Sequence, residues 1–232
     1  MNRRNFLFTS SGAAIGTLTV PGIAAEPPSH SPYPDSGLVT GSPKPLPYEA
    51  LPGFLSAAQI APHQAAHYGG ALRAFNDVEQ RLEGYLSGTT PIDPAALQRI
   101  KQLQSSRGNS VILHELYFAG LAPKRVAPAA GIRGAIVKRF GSLDRWTDDF
   151  VTSAKTAAGW AMLVNHPVNG KLYNVVSDEH AQGPLWFSAP LVVIDTYEHA
   201  FYIDYHNDKA KYVETFVAFI DWSVAEARWR AT

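Results

Sequence analysis

The segment VVIDTYEHAFYIDYHN, residues 192–207, constrains the fold more than any other part of this chain. It continues an apolar run, PLVVID, that has the composition of a buried strand. Asp195, Glu198, His199, Tyr202 and Tyr205 then follow in quick succession. A carboxylate and an imidazole at the end of a buried strand lose their hydration, which is costly unless other groups satisfy them. Whatever folds around this strand must therefore bring polar partners to its end.

Such partners exist among the eight histidines of the chain. His63 and His67 lie at i and i+4 in a helical stretch and so share a face. His114 sits inside the apolar run of a later helical stretch. Any one of these alone reads as an ordinary core or surface histidine. Together, separate segments each carry a metal-type donor on an apolar side, and one shared ion would satisfy them all. Neutral imidazoles with one carboxylate, in a chain without cysteine, suit iron, manganese or zinc.

The periodicity gives the scaffold. Residues 26–53 are rich in Pro, Ser and Gly and read as an extended linker and lead-in with little packed structure. Ser56 reads as an N-cap, and Ile60, Ala61, Ala65, Tyr68, Leu72 and Phe75 recur at helical spacing up to residue 86. A second helix starts near Pro94. NSVILHELYFAGLAP, residues 109–123, reads as a third, closed by Gly120 and Pro123. Residues 131–159 are amphipathic helix with a break near Gly141. After Gly159 the period falls to two, with strands on either side of Asn169-Gly170, a strong hairpin signal. PLVVID supplies another strand, and residues 209–230 read as one helix with Phe216, Phe219, Ile220 and Val224 on one side. The order predicts an α+β chain: an N-terminal helical hairpin domain (54–122), then a C-terminal α/β domain (123–232) with a small three-stranded antiparallel sheet, joined near residues 122–132.

Composition excludes some classes. With 20 basic and 20 acidic residues among 232, no basic excess exists to neutralise nucleic-acid phosphates. No internal stretch is long and apolar enough to span a bilayer. The N-terminus reads as an export leader over residues 1–25: Arg3 and Arg4 precede Phe6, Leu7 and a moderately apolar run that ends in small residues near Ala24 and Ala25. The arginine pair resembles a twin-arginine signal, so the mature protein is expected in the periplasm. Without disulfides, its fold must rest on core, metal or oligomer. A route that carries folded proteins suits one that takes up a metal before export.

The chain resembles the iron/manganese superoxide dismutase family. DTYEHAFYIDYHN is similar to that family's C-terminal signature DxWEHAYYLDYxN. LPYEALPGFLSAAQIAPHQAAHYGGALRAFN is similar to its N-terminal segment, where a ligand histidine precedes a second histidine by four residues. LHELYFAGLAP is similar to NHxxYWxxLxP, and AAGWAMLV followed by NGKL to GSGWxWLV followed by DGKL. The likeness runs in order from about Leu46 to Trp222. It implies one iron or manganese ion per subunit on His63, His114, Asp195 and His199, with a solvent molecule as fifth ligand, and superoxide as substrate. It also implies a homodimer in which Glu198 reaches the partner subunit's metal-binding histidine and Tyr202 bonds to the partner subunit's second histidine, the counterpart of His67. Trp160 forms part of the apolar wall. The expected product pair is oxygen and hydrogen peroxide, by one-electron cycling of the ion.

The chain departs from the family around this centre. Ala71 stands where the family has a gateway tyrosine. Ser110 and Leu113 stand where a glutamine and an asparagine precede the second ligand. Tyr197 and Met162 replace tryptophans. In the loop after the hairpin, His180 falls where manganese-type members carry their glutamine. These positions tune potential and protons, so an alternative expectation is a metal-binding relative with little or no dismutase activity. A zinc site acting as a Lewis acid is a further alternative. The orientation of His180 discriminates between them.

Overall fold

The computed structural model describes residues 33–183 and 185–232. The expected export leader lies outside the described residues, as does the first part of the expected linker. Residues 33–232 form one compact unit.

The helical half is built from few, long elements. After α1 (Gly37–Thr40), Ser56 caps α2 (Ala57–Pro62), its hydroxyl accepting from Gln59 N. Pro62 cannot donate to the helix, and directly after it the winding widens into a π turn, His63–Tyr68, before α3 (Gly69–Leu86) resumes. Such turns often sit at functional positions. Asp93 caps α4 (Pro94–Ala119), its carboxylate accepting from Ala96 N at 2.9 Å. The two helices expected here are thus one. Gly108, between the two predicted segments, is not a break but a notch: a Cβ there would lie 3.0 Å from the Phe75 ring of α3. Val78, Leu82 and Ile100 close the far end of this α3/α4 pair.

The second half contains α5 (Ala130–Phe140), α6 (Leu143–Thr156), β1 (Trp160–His166), β2 (Lys171–Ser177) and β3 (Ala189–Asp195). The sheet is antiparallel in the order β2-β1-β3. β1 is central and buried from Trp160 to Asn165, and its register sets Trp160 opposite Asp195. After β3 come a 3₁₀ turn (Glu198–Ala200), α7 (Tyr202–Tyr205), α8 (Lys209–Phe216) and α9 (Trp222–Arg230). The single C-terminal helix expected over residues 209–230 is interrupted. Asp221 caps α9 through Ser223 N and Val224 N, while its own N–H reaches Gly120 O at 2.8 Å.

Near residues 122–132, the expected join, α4 gives way through a non-helical connection to α5. Packing runs across it: Ala122 N bonds to Phe219 O, and one core cluster holds Leu51, Tyr117, Trp146, Ile194 and Phe216. Residues 33–53, expected as loose linker, also pack. Tyr48 donates to Phe118 O at 2.8 Å, and Leu51 is fully buried.

Candidate metal centre

Four segments converge on one buried spot. The π turn supplies His63, the middle of α4 supplies His114, the end of β3 supplies Asp195 and the following 3₁₀ turn supplies His199. Their donor atoms all lie within 4.8 Å of one another. Asp195 Oδ2 is 3.2 Å from His63 Nε2, 3.3 Å from His199 Nε2 and 3.7 Å from His114 Nε2. Yet these contacts lack hydrogen-bond geometry, and all four atoms are buried without a partner among the described residues. Leaving such groups unsatisfied costs several kcal/mol in principle. A single cation resolves this, because two ligand atoms about 2.1 Å from one ion stand about 3.0–3.6 Å apart at ordinary angles. The residues fit a metal ion.

Two of the donors, His114 and Asp195, are pinned on their opposite sides, and His199 is held through its carbonyl. His114 Nδ1 lies 2.7 Å from Ser110 O. A carbonyl only accepts, so the proton is on Nδ1 and the lone pair on Nε2. Asp195 Oδ1 accepts from Tyr197 N at 2.9 Å, which leaves Oδ2 for the cluster. Tyr212 donates to Asp195 O at 2.8 Å, and Tyr117 Oη lies 3.0 Å from Tyr212 Oη. Gln59, fully buried, donates to His199 O at 2.7 Å and accepts from Ile203 N at 2.9 Å. At the surface, Ser56 bonds to both carboxylate oxygens of Asp204.

The electrostatics favour this set as ligands. Burial pushes the His63 imidazole below its ordinary value against the pull of Asp195. Burial also takes His114 down to about 3. Burial opposes ionisation of Asp195, but the His199 and His63 imidazoles outweigh it and hold the carboxyl well below the usual range. Neutral imidazoles around a carboxylate are the forms a divalent or trivalent ion binds.

Around the cluster the expected outer residues divide. The Trp160 ring meets His114 edge to face at 5.2 Å. Its Nε1 donates to His180 Nδ1 at 3.0 Å, so neutral His180 carries its proton on Nε2. His180 thus belongs to the wall, its ring 6.4 Å from that of His114, and Asn109 ties its carbonyl to α4. His63 is buried while His67 is exposed, so the two do not share an inward face. His67 instead stacks on His199 with centroids 3.7 Å apart, and burial followed by the His199 and His63 charges lowers it to about 4. Tyr197 stacks on the same histidine at 5.4 Å. Glu198 and Tyr202 are exposed. Ala71, Leu113 and Met162 are buried apolar contacts, and Ser110 acts through its backbone.

Sequence reasoning missed Gln59 and the Tyr117–Tyr212 pair. Gln59 had a weak signal, a polar amide on the inward side of α2 four residues before His63. The tyrosine pair had none beyond apolar periodicity.

Residues 128–228 match the family described as iron/manganese superoxide dismutases, C-terminal domain. The chain is 33% identical over 189 residues to manganese superoxide dismutase 2 of Haloferax volcanii, covering 80% of this chain and 93% of that protein. It is 33% identical over 179 residues to the iron superoxide dismutase of Aquifex aeolicus, covering 75% and 84%. The iron enzyme of Cupriavidus metallidurans is likewise 33% identical over 180 residues, covering 76% and 89%.

Proposed function

The chain belongs to the iron/manganese superoxide dismutase family, and on that premise we propose that it is a superoxide dismutase. Its centre would hold one iron or manganese ion per subunit on His63, His114, Asp195 and His199. The observation that carries this is the set of four buried donor atoms turned toward one another without partners. When bound, the ion supplies one-electron chemistry, so that one superoxide is oxidised to oxygen and a second, with two protons, is reduced to hydrogen peroxide. Relatives named for either metal are similar to this chain, and His, Asp donors serve both.

The residues do the rest. Ser110 O and Tyr197 N hold His114 and Asp195 in the tautomer and rotamer that present Nε2 and Oδ2. Such outer contacts raise ligand basicity and fix direction. Trp160 and His180 form a relay at the wall: the indole fixes His180 so that its Nε2–H is the donor on the free edge. We assign His180 the task of holding and passing the proton that peroxide formation consumes. His67, stacked on His199, and Tyr202 sit at the exposed side of the centre, and a homodimer would cover both, with Glu198 reaching the neighbouring site. Export through the leader at residues 1–25 would place this activity in the periplasm. No described helix is long and apolar enough to cross a membrane.

A second reading has its own support: buried Ala71 offers no phenol, and the Ser110 side chain turns to His114 Nδ1 at 3.4 Å. In that reading the protein keeps the metal but dismutes poorly. Metal content and superoxide consumption, measured on the same purified protein before and after stripping, decide between them. The dismutase reading expects near one iron or manganese per subunit and activity lost on stripping. Bound metal without activity would overturn it in favour of the second.

A further inference from the structure

We propose that residues 36–44 form a strap that positions the helical ligands of the centre. The proposal rests on the metal-centre reading above. It concerns a segment whose Pro, Ser and Gly content reads as linker, yet Ser36 and Gly37 are buried and Leu38 packs on the core.

The strap is held by three residues, each next in sequence to a histidine of the site. Glu115 follows His114, Tyr68 follows His67 and Gln64 follows His63. Glu115 Oε1 accepts from Gly37 N at 2.7 Å and from Tyr68 Oη at 2.9 Å. Tyr68 Oη in turn accepts from Lys44 N at 2.8 Å. Gln64 Nε2 donates to Lys44 O at 3.2 Å. One carboxylate oxygen therefore links α4, the π turn and the start of the strap. Lys44 closes the far end, its ammonium paired with Asp35 and its backbone on Tyr68 and Gln64.

The approach is close. A Cβ on Gly37 would lie 3.0 Å from Leu72 Cδ2, 3.0 Å from Tyr68 Oη and 3.2 Å from Glu115 Oε1. Asn76 of α3 adds a bond to Gly41 O at 3.1 Å, where the chain turns with a positive φ of 72°. The strap thus spans the helices that carry His63 and His114 and fixes their separation and rotation. His63 has Pro62 and a widened turn behind it, so its helix alone is a poor anchor. Glu115 and Tyr68 are positioning residues. They act on the ligands through the backbone they share with them.

The test compares the metal-loaded full chain with the variants E115A, E115Q, Y68F and D93A. The readouts are the rate of metal transfer to excess chelator, the magnetic-resonance spectrum of the bound ion, and hydrogen exchange at the Gly37 amide. Glu115→Gln keeps the accepting oxygen and should behave as the unaltered protein. Glu115→Ala removes it and should release metal about tenfold faster, the lower end for outer contacts, with a broadened spectrum and an unprotected Gly37 amide. Tyr68→Phe, which keeps the ring, should move the same way by less and serves if Glu115→Ala fails to fold. Asp93→Ala weakens the remote cap of the same helix and should leave release unchanged. Equal release from E115A and the unaltered chain would overturn the proposal. So would release from D93A as fast as from E115A, since general loosening would then explain both. An unaltered chain that takes up no metal would bring down the metal-centre reading itself, a different failure visible before any variant is made.

Discussion

The two halves of the centre are held by different kinds of structure. Asp195 ends β3 and His199 follows it in the 3₁₀ turn, and polar groups beside both are tied by hydrogen bonds. Asp195 Oδ1 takes Tyr197 N, Asp195 O takes the Tyr212 hydroxyl and His199 O takes Gln59. Sheet register with β1 fixes where that strand ends. His63 and His114 come from two helices, and only His114 has a local partner, Ser110 O. Their relation depends on the Phe75 ring packed against Gly108 and on the strap at Glu115. Ligands placed by register hold their position without the ion, whereas ligands placed by helix packing are freer to drift. In metal-free protein, amide exchange should rise along the π turn and the middle of α4 before it rises at the end of β3. Equal protection in both would break the contrast.

Larger effects come from removing members of the centre. Asp195→Ala takes away the atom that all three imidazoles approach. Metal per subunit, measured by elemental analysis, should fall from near one to background, and superoxide consumption with it. His180→Ala tests the wall instead. It leaves the four donors intact and removes the acceptor of Trp160 Nε1. Metal content should hold while activity falls about 10–100-fold, the usual cost of an outer partner. A variant that loses metal as completely as Asp195→Ala would place His180 among the ligands. Gln59→Ala strips partners from His199 O and Ile203 N. At about 1–3 kcal/mol for each group left unpaired, urea unfolding of the metal-free protein should show a loss of about 2–6 kcal/mol. A loss under 1 kcal/mol would mean the strand-end half is not secured as argued.

Much of this was legible in the sequence where the signal is local. The Asn169-Gly170 hairpin, the PLVVID strand and the Ser56 cap follow from turn chemistry, period and capping, and each element lies where it was expected. Polar groups on apolar faces pointed to a shared ion, the family resemblance implied His63, His114, Asp195 and His199 as its ligands, and the structure gathers all four. What the sequence hid depends on distant chain. Gly108 continues α4 because Phe75 of another helix fills the space a side chain would take. Asp221 interrupts the last helix because its N–H is claimed by Gly120. Residues 33–53 pack because Glu115, Tyr68 and Phe118 accept hydrogen bonds from them. The orientation of His180 could not be read without knowing that Trp160 Nε1 lies beside it.

A contact outside the candidate centre gives the baseline against which these effects are judged. Helix α5 begins at Ala130 without a side-chain cap of its own. Glu226 of α9 supplies one, accepting from Ile132 N at 2.6 Å and from Arg230 Nε at 2.7 Å. The Ile132 N–H, and after it Arg230, hold the Glu226 carboxyl below its ordinary value of 4.5, against the desolvation that would raise it. The folded chain therefore binds this proton less readily than the unfolded one. The contribution is complete above the unfolded value of 4.5 and drains away as pH falls through it toward the lowered folded value. Glu226→Gln keeps an acceptor for Ile132 N and removes the charge. Thermal unfolding should show this variant slightly less stable at neutral pH, with the gap shrinking below pH 4.5 and metal content unchanged throughout. A gap that persists undiminished in acid would mean that shape rather than charge links α9 to α5. A fall in metal content would mean that the centre feels this end of the molecule, and the division between its two halves would need a third support.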